Sequence, residues 1–243
     1  MKVFGLTDTG LHRQENEDSF AIAEESGLQI AVVCDGMGGE NGGKKASSLA
    51  VDTYLKQLKM LLRSDMLPEQ MRELSSFCAA QANTAIYQYS LENPEYKGMG
   101  TTLVSVIASA ETALVSNIGD SRAYLFHKGK LTQITHDHSV VESLVRSGDI
   151  TAEQARTHPN RNLITRALGP EVSASCDTYT VKLHKGDKLL LCTDGLIVTA
   201  EDAQIERTIR EESDISKALE ALIDLARQND APDNVTAVLM DNL

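Results

Sequence analysis

The sequence predicts an α+β fold in which antiparallel sheets carry helices on their outer faces. Three observations point there. Strand-like and helix-like segments come in blocks, which argues against a doubly wound parallel sheet. The strand-like segments in the middle of the chain follow one another through short turns such as His127-Lys128-Gly129-Lys130, a hairpin signal. A length of 243 residues with 42% apolar composition is enough for a sizeable core.

Taken in order, residues 2–7 and 19–23 are expected as strands, and 28–34 as a buried strand. Residues 44–62 and 68–91 are expected as helices. In the second, Met71, Leu74, Cys78, Ala82, Ile86 and Tyr89 recur at helical spacing, Pro68 suits a first-turn position, and Asn93-Pro94 marks the stop. Residues 101–108, 112–117, 121–126 and 131–134 are rich in Val, Ile, Leu and Thr and read as strands. Residues 138–168 form a polar helical stretch with a loop around His158-Pro159-Asn160-Arg161. Strands return at 176–183 and 188–192, helices follow at 203–209 and 215–226, and 234–240 closes as a strand.

The formal net charge is -12, which argues against binding to nucleic acid or an anionic membrane. Aromatic residues are 4% with no Trp, so aliphatic side chains must fill the core. The first residues show no apolar run of the signal-peptide kind, and nowhere is there a run of the ~20 apolar residues that a membrane helix needs. Cys34, Cys78, Cys176 and Cys192 are far apart and read as reduced, mostly buried thiols. A cytoplasmic protein is expected.

The most unusual stretch is "AVVCDGMGGENGGKK", residues 31–45, with five glycines in eight positions after Asp35. As a phosphate-binding loop it is a near miss. GxxxxGK fits Gly38 to Lys44, but Lys45 stands where a Ser or Thr should bind magnesium, and GxGxxG from Gly36 meets Asn41 at its last position. The alternative is a metal loop built on Asp35. Asp120 in "NIGDSR", Asp194 in "LLLCTDGL" and Asp233 in "APDNVT" repeat the pattern of an aspartate at the edge of an apolar strand. Carboxylates at strand ends can converge on one edge of a sandwich, and hard cations such as Mg²⁺ or Mn²⁺ favour such oxygen ligands. Taken singly, each aspartate reads better as an ordinary turn former, and it is the fourfold repetition in an acidic chain that favours the metal reading. In "TDTGLHRQENEDSF", Arg13 could grip a phosphate through paired hydrogen bonds, and Glu17 and Asp18 could hold metal-bound water; taken alone, a solvated charged loop is the favoured reading. His136-Asp137-His138 could place two imidazoles on one strand face for a transition metal, or form a structural turn, which is the favoured reading. His12 and His184 look like surface residues.

Together these segments resemble the metal-dependent PP2C (PPM) family of protein serine/threonine phosphatases, bacterial type. The resemblance runs in order through "TDTGLHRQENEDSF", "VVCDGMGG", "GMGTTL", "NIGDSRAYLF", "THDHSVV", "NLITRALG", "LLLCTDGL" and "DNVTAVLM". It implies a single domain over 1–243: a β-sandwich of two antiparallel sheets flanked by helices (α-β-β-α), with a flap at about 138–168 beside the site. It implies two tightly bound Mn²⁺ or Mg²⁺ ions and room for a third. By resemblance, Asp35 bridges two ions, and Asp194 and Asp233 complete the first. The Gly36 carbonyl and Glu17 serve the second, Asp18 orients coordinated water, Asp120 and Asp194 hold the third, and Arg13 binds phosphate.

The implied reaction is hydrolysis of phosphoserine and phosphothreonine in proteins by direct attack of a metal-bridging hydroxide. No phosphoenzyme is needed, so Cys34 and Cys192 read as core. Two positions depart from relatives. Met37 stands where many eukaryotic members carry a His proposed to protonate the leaving oxygen, and Glu40 where many bacterial members carry a His. No general acid is assigned. The expected partners are phosphorylated proteins, a bacterial Ser/Thr kinase and its substrates, and the chain is expected to be a monomer. Intact Asp35, Asp194 and Asp233 weigh against a pseudophosphatase that binds phosphoproteins without turnover.

Overall fold

The computed structural model describes residues 1–39 and 42–243; the expectation about Glu40 lies outside the described residues. The strands are β1 (Lys2–Asp8), β2 (Ser19–Glu25), β3 (Leu28–Cys34), β4 (Gly36–Met37), β5 (Gly100–Thr101), β6 (Leu103–Ala108), β7 (Thr112–Ile118), β8 (Arg122–His127), β9 (Lys130–Gln133), β10 (Asp177–Lys182), β11 (Lys188–Cys192) and β12 (Val235–Asp241). The helices are α1 (Gly42–Leu61), α2 (Pro68–Glu92), α3 (Val140–Ser147), α4 (Ala152–Thr157), α5 (Asp194–Thr199), α6 (Asp202–Glu211) and α7 (Ile215–Gln228).

Among the described residues the strands form two five-stranded sheets, β1-β12-β11-β8-β9 and β10-β7-β6-β3-β2, with a two-stranded ribbon β4-β5. The pairings are antiparallel. The central strands are apolar on both faces because both faces are covered. In β3, Ala31 and Val33 point between the sheets, while Ile30, Val32 and Cys34 point toward α1 and α2. In β12, Val238 and Met240 point inward, while Val235, Ala237 and Leu239 meet the layer of α5, α6 and α7. This period-two split is what a strand in a helix-covered sandwich requires. Each fully buried Leu or Ile adds roughly 1.5–3 kcal/mol of transfer free energy, and the buried apolar residues form three layers.

Local chemistry sets the ends of the elements. Pro68 opens α2. Ser139 Oγ accepts from Glu142 N–H to cap α3, and Gly148 at φ 82° closes it. Lys128 (φ 49°) and Gly129 (φ 80°) make the β8–β9 turn, both left-handed as a tight hairpin demands.

The structure departs from the sequence expectation in three places. The strand expected over 101–108 breaks at Thr102, whose N–H donates to the Asp35 carbonyl (2.9 Å) and whose hydroxyl accepts from Asp35 N–H (2.9 Å). Thr101 therefore leaves the large sheet and pairs with Gly36. α5 begins at Asp194 where only a strand end was expected. The helical part of 138–168 is confined to α3 and α4, and the remainder is irregular chain. That irregular chain is tied down where Leu168, fully buried, exchanges backbone hydrogen bonds with Thr101.

Candidate active site

Antiparallel register fixes which chain ends meet. Cys34 lies opposite Ser19, Val33 opposite Val104, and Leu103 opposite Ile118, so the end of β3, the start of β2 and the end of β7 share one edge. In the other sheet Cys192 lies opposite both Arg122 and Ala237, so the end of β11 and the starts of β8 and β12 share an edge. The residues flanking those ends are Asp18, Asp35, Asp120, Asp194 and Asp233. The topology alone brings five carboxylates to one end of the sandwich.

Local contacts hold each in place. Besides its bonds to Thr102, Asp35 offers its carbonyl to the Thr101 hydroxyl (2.8 Å). Asp18 is buried, and its Oδ2 accepts from the Thr193 hydroxyl (2.9 Å), which in turn accepts from Thr236 N–H (3.0 Å). Gly195 packs so close to the Asn234 carbonyl that a Cβ would overlap it, which sets Asp194 beside Asp233. Asn234 ties the N-terminal loop down: its Oδ1 accepts from Glu17 N–H (2.8 Å) and its Nδ2 donates to the carbonyls of Thr9 (2.9 Å) and Glu15 (3.0 Å). The Gly119-Asp120 turn is clamped by His138, whose N–H donates to the Gly119 carbonyl (2.9 Å) and whose Nδ1 accepts from Gly119 N–H (3.1 Å).

The glycine-rich loop serves a carboxylate rather than a phosphate. A Cβ on Gly36 would overlap the Gly43 carbonyl, and one on Gly43 would overlap the Glu17 carboxylate. Glu17 thus lies against the N-terminus of α1. Burial raises its pKa, while Arg13 and the Gly43 and Lys44 N–H groups oppose the rise. The anion at this helix terminus is the protein's own.

Crowding and burial act together on the cluster. Burial, followed by the charges of Asp18, Asp194, Asp120 and Asp233, holds the Asp35 carboxyl well above the usual range. Burial pushes Asp18 up to about 7 against hydrogen bonds from Thr236 and Thr193. Burial and Asp194 push Asp120 up to about 7. Burial and Asp233 push Asp194 up to about 6. Such an array calls for compensating positive charge. Arg13 supplies part of it, donating from Nη2 to Asp233 Oδ2 at 2.7 Å with both groups partly in solvent.

The residues fit divalent cations. Asp194 Oδ1 is buried with no hydrogen-bond partner, one of two such side-chain atoms among the described residues. An unpaired buried carboxylate oxygen beside four more carboxyl groups is what a cation would satisfy. The all-oxygen donor set suits Mg²⁺ or Mn²⁺. Among the described residues, these carboxylates do not close into a tight cage, and the trio whose ligand atoms all lie within 4.8 Å of one another is elsewhere, at His127, His184 and Asp187. A spread set with one central carboxylate suits cations that keep several waters.

The family model of protein phosphatase 2C matches residues 11–240. The chain belongs to that family. It is 35% identical to the serine/threonine phosphatase stp of Listeria monocytogenes over 97% of this chain and 93% of that one. It is 37% identical to the serine/threonine protein phosphatase PstP of Mycobacterium tuberculosis over 97% of this chain and 44% of that one. Among solved structures, a bacterial serine phosphatase superposes with TM-score 0.92 at 38% identity, covering 98% of this chain and 96% of that one. The catalytic domain of PstP in complex with two manganese ions superposes with TM-score 0.83 at 34% identity, covering 99% and 97%. The expected family and the expected sandwich fold are both found.

All eight site residues expected from sequence, Arg13, Glu17, Asp18, Asp35, Gly36, Asp120, Asp194 and Asp233, lie at this one end of the sandwich. The supporting residues Thr102, Thr193, Asn234 and His138 were not singled out for that role. For Thr193 and Asn234 the signal was adjacency to a site aspartate; for Thr102 and His138 only the fold shows it. The histidines of "THDHSVV" go to separate partners. His138 Nε2 reaches Asp177 (3.1 Å), Asp137 takes the Arg122 guanidinium (2.7 Å), and His136 packs edge-on against Tyr179. Cys34 and Cys192 are buried, and burial raises both thiols, Cys192 to about 12.

Proposed function

We propose that this chain is a Mn²⁺- or Mg²⁺-dependent phosphatase that hydrolyses phosphoserine and phosphothreonine in proteins. The observation that carries the reading is the convergence of five aspartates on one end of a phosphatase 2C sandwich, with Asp194 Oδ1 buried and unpaired. Asp35, Asp194 and Asp233 would hold a first cation, Asp35, Glu17 and the Gly36 carbonyl a second, and Asp120 with Asp194 a looser third. When bound, divalent cations would supply activation of a water for direct attack on phosphorus and would offset charge on the phosphoryl oxygens. Arg13 has donors to spare beyond its single bond to Asp233 and faces solvent, so it can swing onto a phosphoryl oxygen. Asp18, fixed by Thr193, orients water beside the cations. Met37 has no proton to give, so the departing seryl or threonyl oxygen is not protonated from that position.

The chain acts as one domain, with residues 138–168 as a flap beside the cleft. Its partners are a Ser/Thr kinase and that kinase's phosphorylated substrates, and it works as a cytoplasmic monomer. No helix among the described residues is long and apolar enough to cross a membrane. The test is hydrolysis of p-nitrophenyl phosphate and of a phosphothreonine peptide across a Mn²⁺ titration. Saturable, metal-dependent turnover is expected; no turnover at any metal concentration would sink the reading.

A further inference from the structure

The end of the sandwich opposite the carboxylate cleft holds a second group of metal-ligating side chains. β8 enters the cleft end at Arg122 and leaves at His127, and β11 runs the other way from Lys188 to Cys192. His127 at the end of β8, and His184 and Asp187 in the β10–β11 turn, therefore meet a full strand length from the aspartates. Two imidazoles converge on one carboxylate. His127 Nδ1 lies 2.6 Å from Asp187 Oδ1 and His184 Nδ1 lies 3.4 Å from Asp187 Oδ2, with ring centroids 5.1 Å apart.

We propose that His127, His184 and Asp187 form a site for a transition-metal ion of the zinc class, distinct from the phosphatase cations. The donor chemistry decides the class: two imidazole nitrogens and one carboxylate oxygen suit Zn²⁺ and its neighbours, whereas Mg²⁺ and Mn²⁺ prefer all-oxygen sets. The spacing is close to what such an ion needs. Tetrahedral bonds of about 2.0–2.1 Å place ligand atoms roughly 3.3 Å apart. His184 Nδ1 has that separation from Asp187 Oδ2, His127 Nδ1 lies against the other oxygen of the same carboxylate, and one ligand atom from each of the three residues lies within 4.8 Å of the other two, so small side-chain rotations would close the set on one ion. The frame is rigid. Asp187 Oδ2 accepts from His184 N–H (2.8 Å), and Asn242 Nδ2 donates to the carbonyls of His184 (3.0 Å) and Ala110 (2.8 Å). Asp187 N–H closes the turn on the His184 carbonyl (3.0 Å). The Asp187 side chain is 4% exposed, while His127 and His184 are 33% and 55% exposed, so the carboxylate is fixed and the imidazoles open to solvent. Water completes the coordination. The ion would tie the β8–β9 hairpin to the β10–β11 turn and act as a structural staple.

The experiment is a Zn²⁺ titration by calorimetry of protein already saturated with Mn²⁺, for wild type, His184→Ala and His127→Gln. None of these residues lies near the cleft, so Mn²⁺-dependent turnover serves as the check that each variant is folded. The wild type is expected to take one more equivalent of Zn²⁺ than either variant, and to gain about 5 °C in Tm on Zn²⁺ addition that the variants lack. A zinc stoichiometry equal in all three proteins overturns the proposal, whatever zinc does at the cleft, because displacement of Mn²⁺ there is common to all three.

Discussion

Asp194 Oδ1 is buried without a partner, a state that costs about 1–3 kcal/mol in a finished protein and that a cation relieves. Asp35 sits among four other carboxyl groups and ranks with it. Asp35→Ala and Asp194→Ala are each expected to lower kcat/KM by at least about 10³-fold while the fold persists, because each removes a ligand rather than a packing group. Circular dichroism checks the fold, and near wild-type kinetics would remove both from the site. Arg13→Ala removes an exposed contact and is expected to raise KM roughly tenfold with kcat little changed, since ground-state phosphate binding is what it supplies. An unchanged KM would count against a phosphate-binding role. Asp120→Ala is expected to weaken turnover but leave two cations in a crystal; loss of both would mean that Asp120 serves the tight pair.

At the scale of elements, the sandwich positions loops more than it supplies chemistry. Asn234 shows this: its side chain makes three hydrogen bonds that hold the loop after β1 against the start of β12. Asn234→Ala strands those buried groups, at a cost of about 2–3 kcal/mol, and is expected to lower Tm by roughly 5–10 °C and to weaken Mn²⁺ binding. A thermal scan at fixed Mn²⁺ measures both, and an unchanged Tm would mean that the loop is held elsewhere. The elements themselves were largely readable in the sequence. Long apolar runs such as residues 28–34 and 188–192 end abruptly at polar residues, and both strands have those bounds. The helices followed from apolar spacing and from Pro68. What escaped depended on long-range contacts. The break at Thr102 exists because its hydroxyl and amide are spent on Asp35, 67 residues away, which no local pattern encodes. Asp194 was legible as a site residue, but the one-turn helix that begins with it is too short for periodicity to reveal. The trio at His127, His184 and Asp187 was invisible for the same reason: β8 and β11 bring it together only after pairing, and His184 alone reads as a surface residue.

At the scale of the whole molecule, the raised carboxyl groups give the metal-free protein a definite pH response. Asp18 and Asp120 stand at about 7 and Asp194 at about 6, above ordinary aspartate values near 3.9. Between those limits the folded protein binds more protons than the unfolded chain, so unfolding free energy falls as pH rises. Their stabilising contribution is fully present below about pH 4 and lost as pH passes through 6–7. His138, held low by its burial, pulls the other way but is a single group. Metal-free protein is therefore expected to have a lower Tm at pH 8 than at pH 5. Saturating Mn²⁺ should remove or reverse that slope, since it keeps the same groups ionised and gains affinity as they lose protons. A metal-free Tm that rises over this range would contradict the clustering.

The most direct measurement is a crystal soaked in MnCl₂ with anomalous data collected for manganese. The expected map has two peaks flanking Asp35, one of them within bonding distance of Asp194 Oδ1 and Asp233. Manganese peaks only away from these aspartates, or none at all at saturating concentration, would contradict the two-cation site.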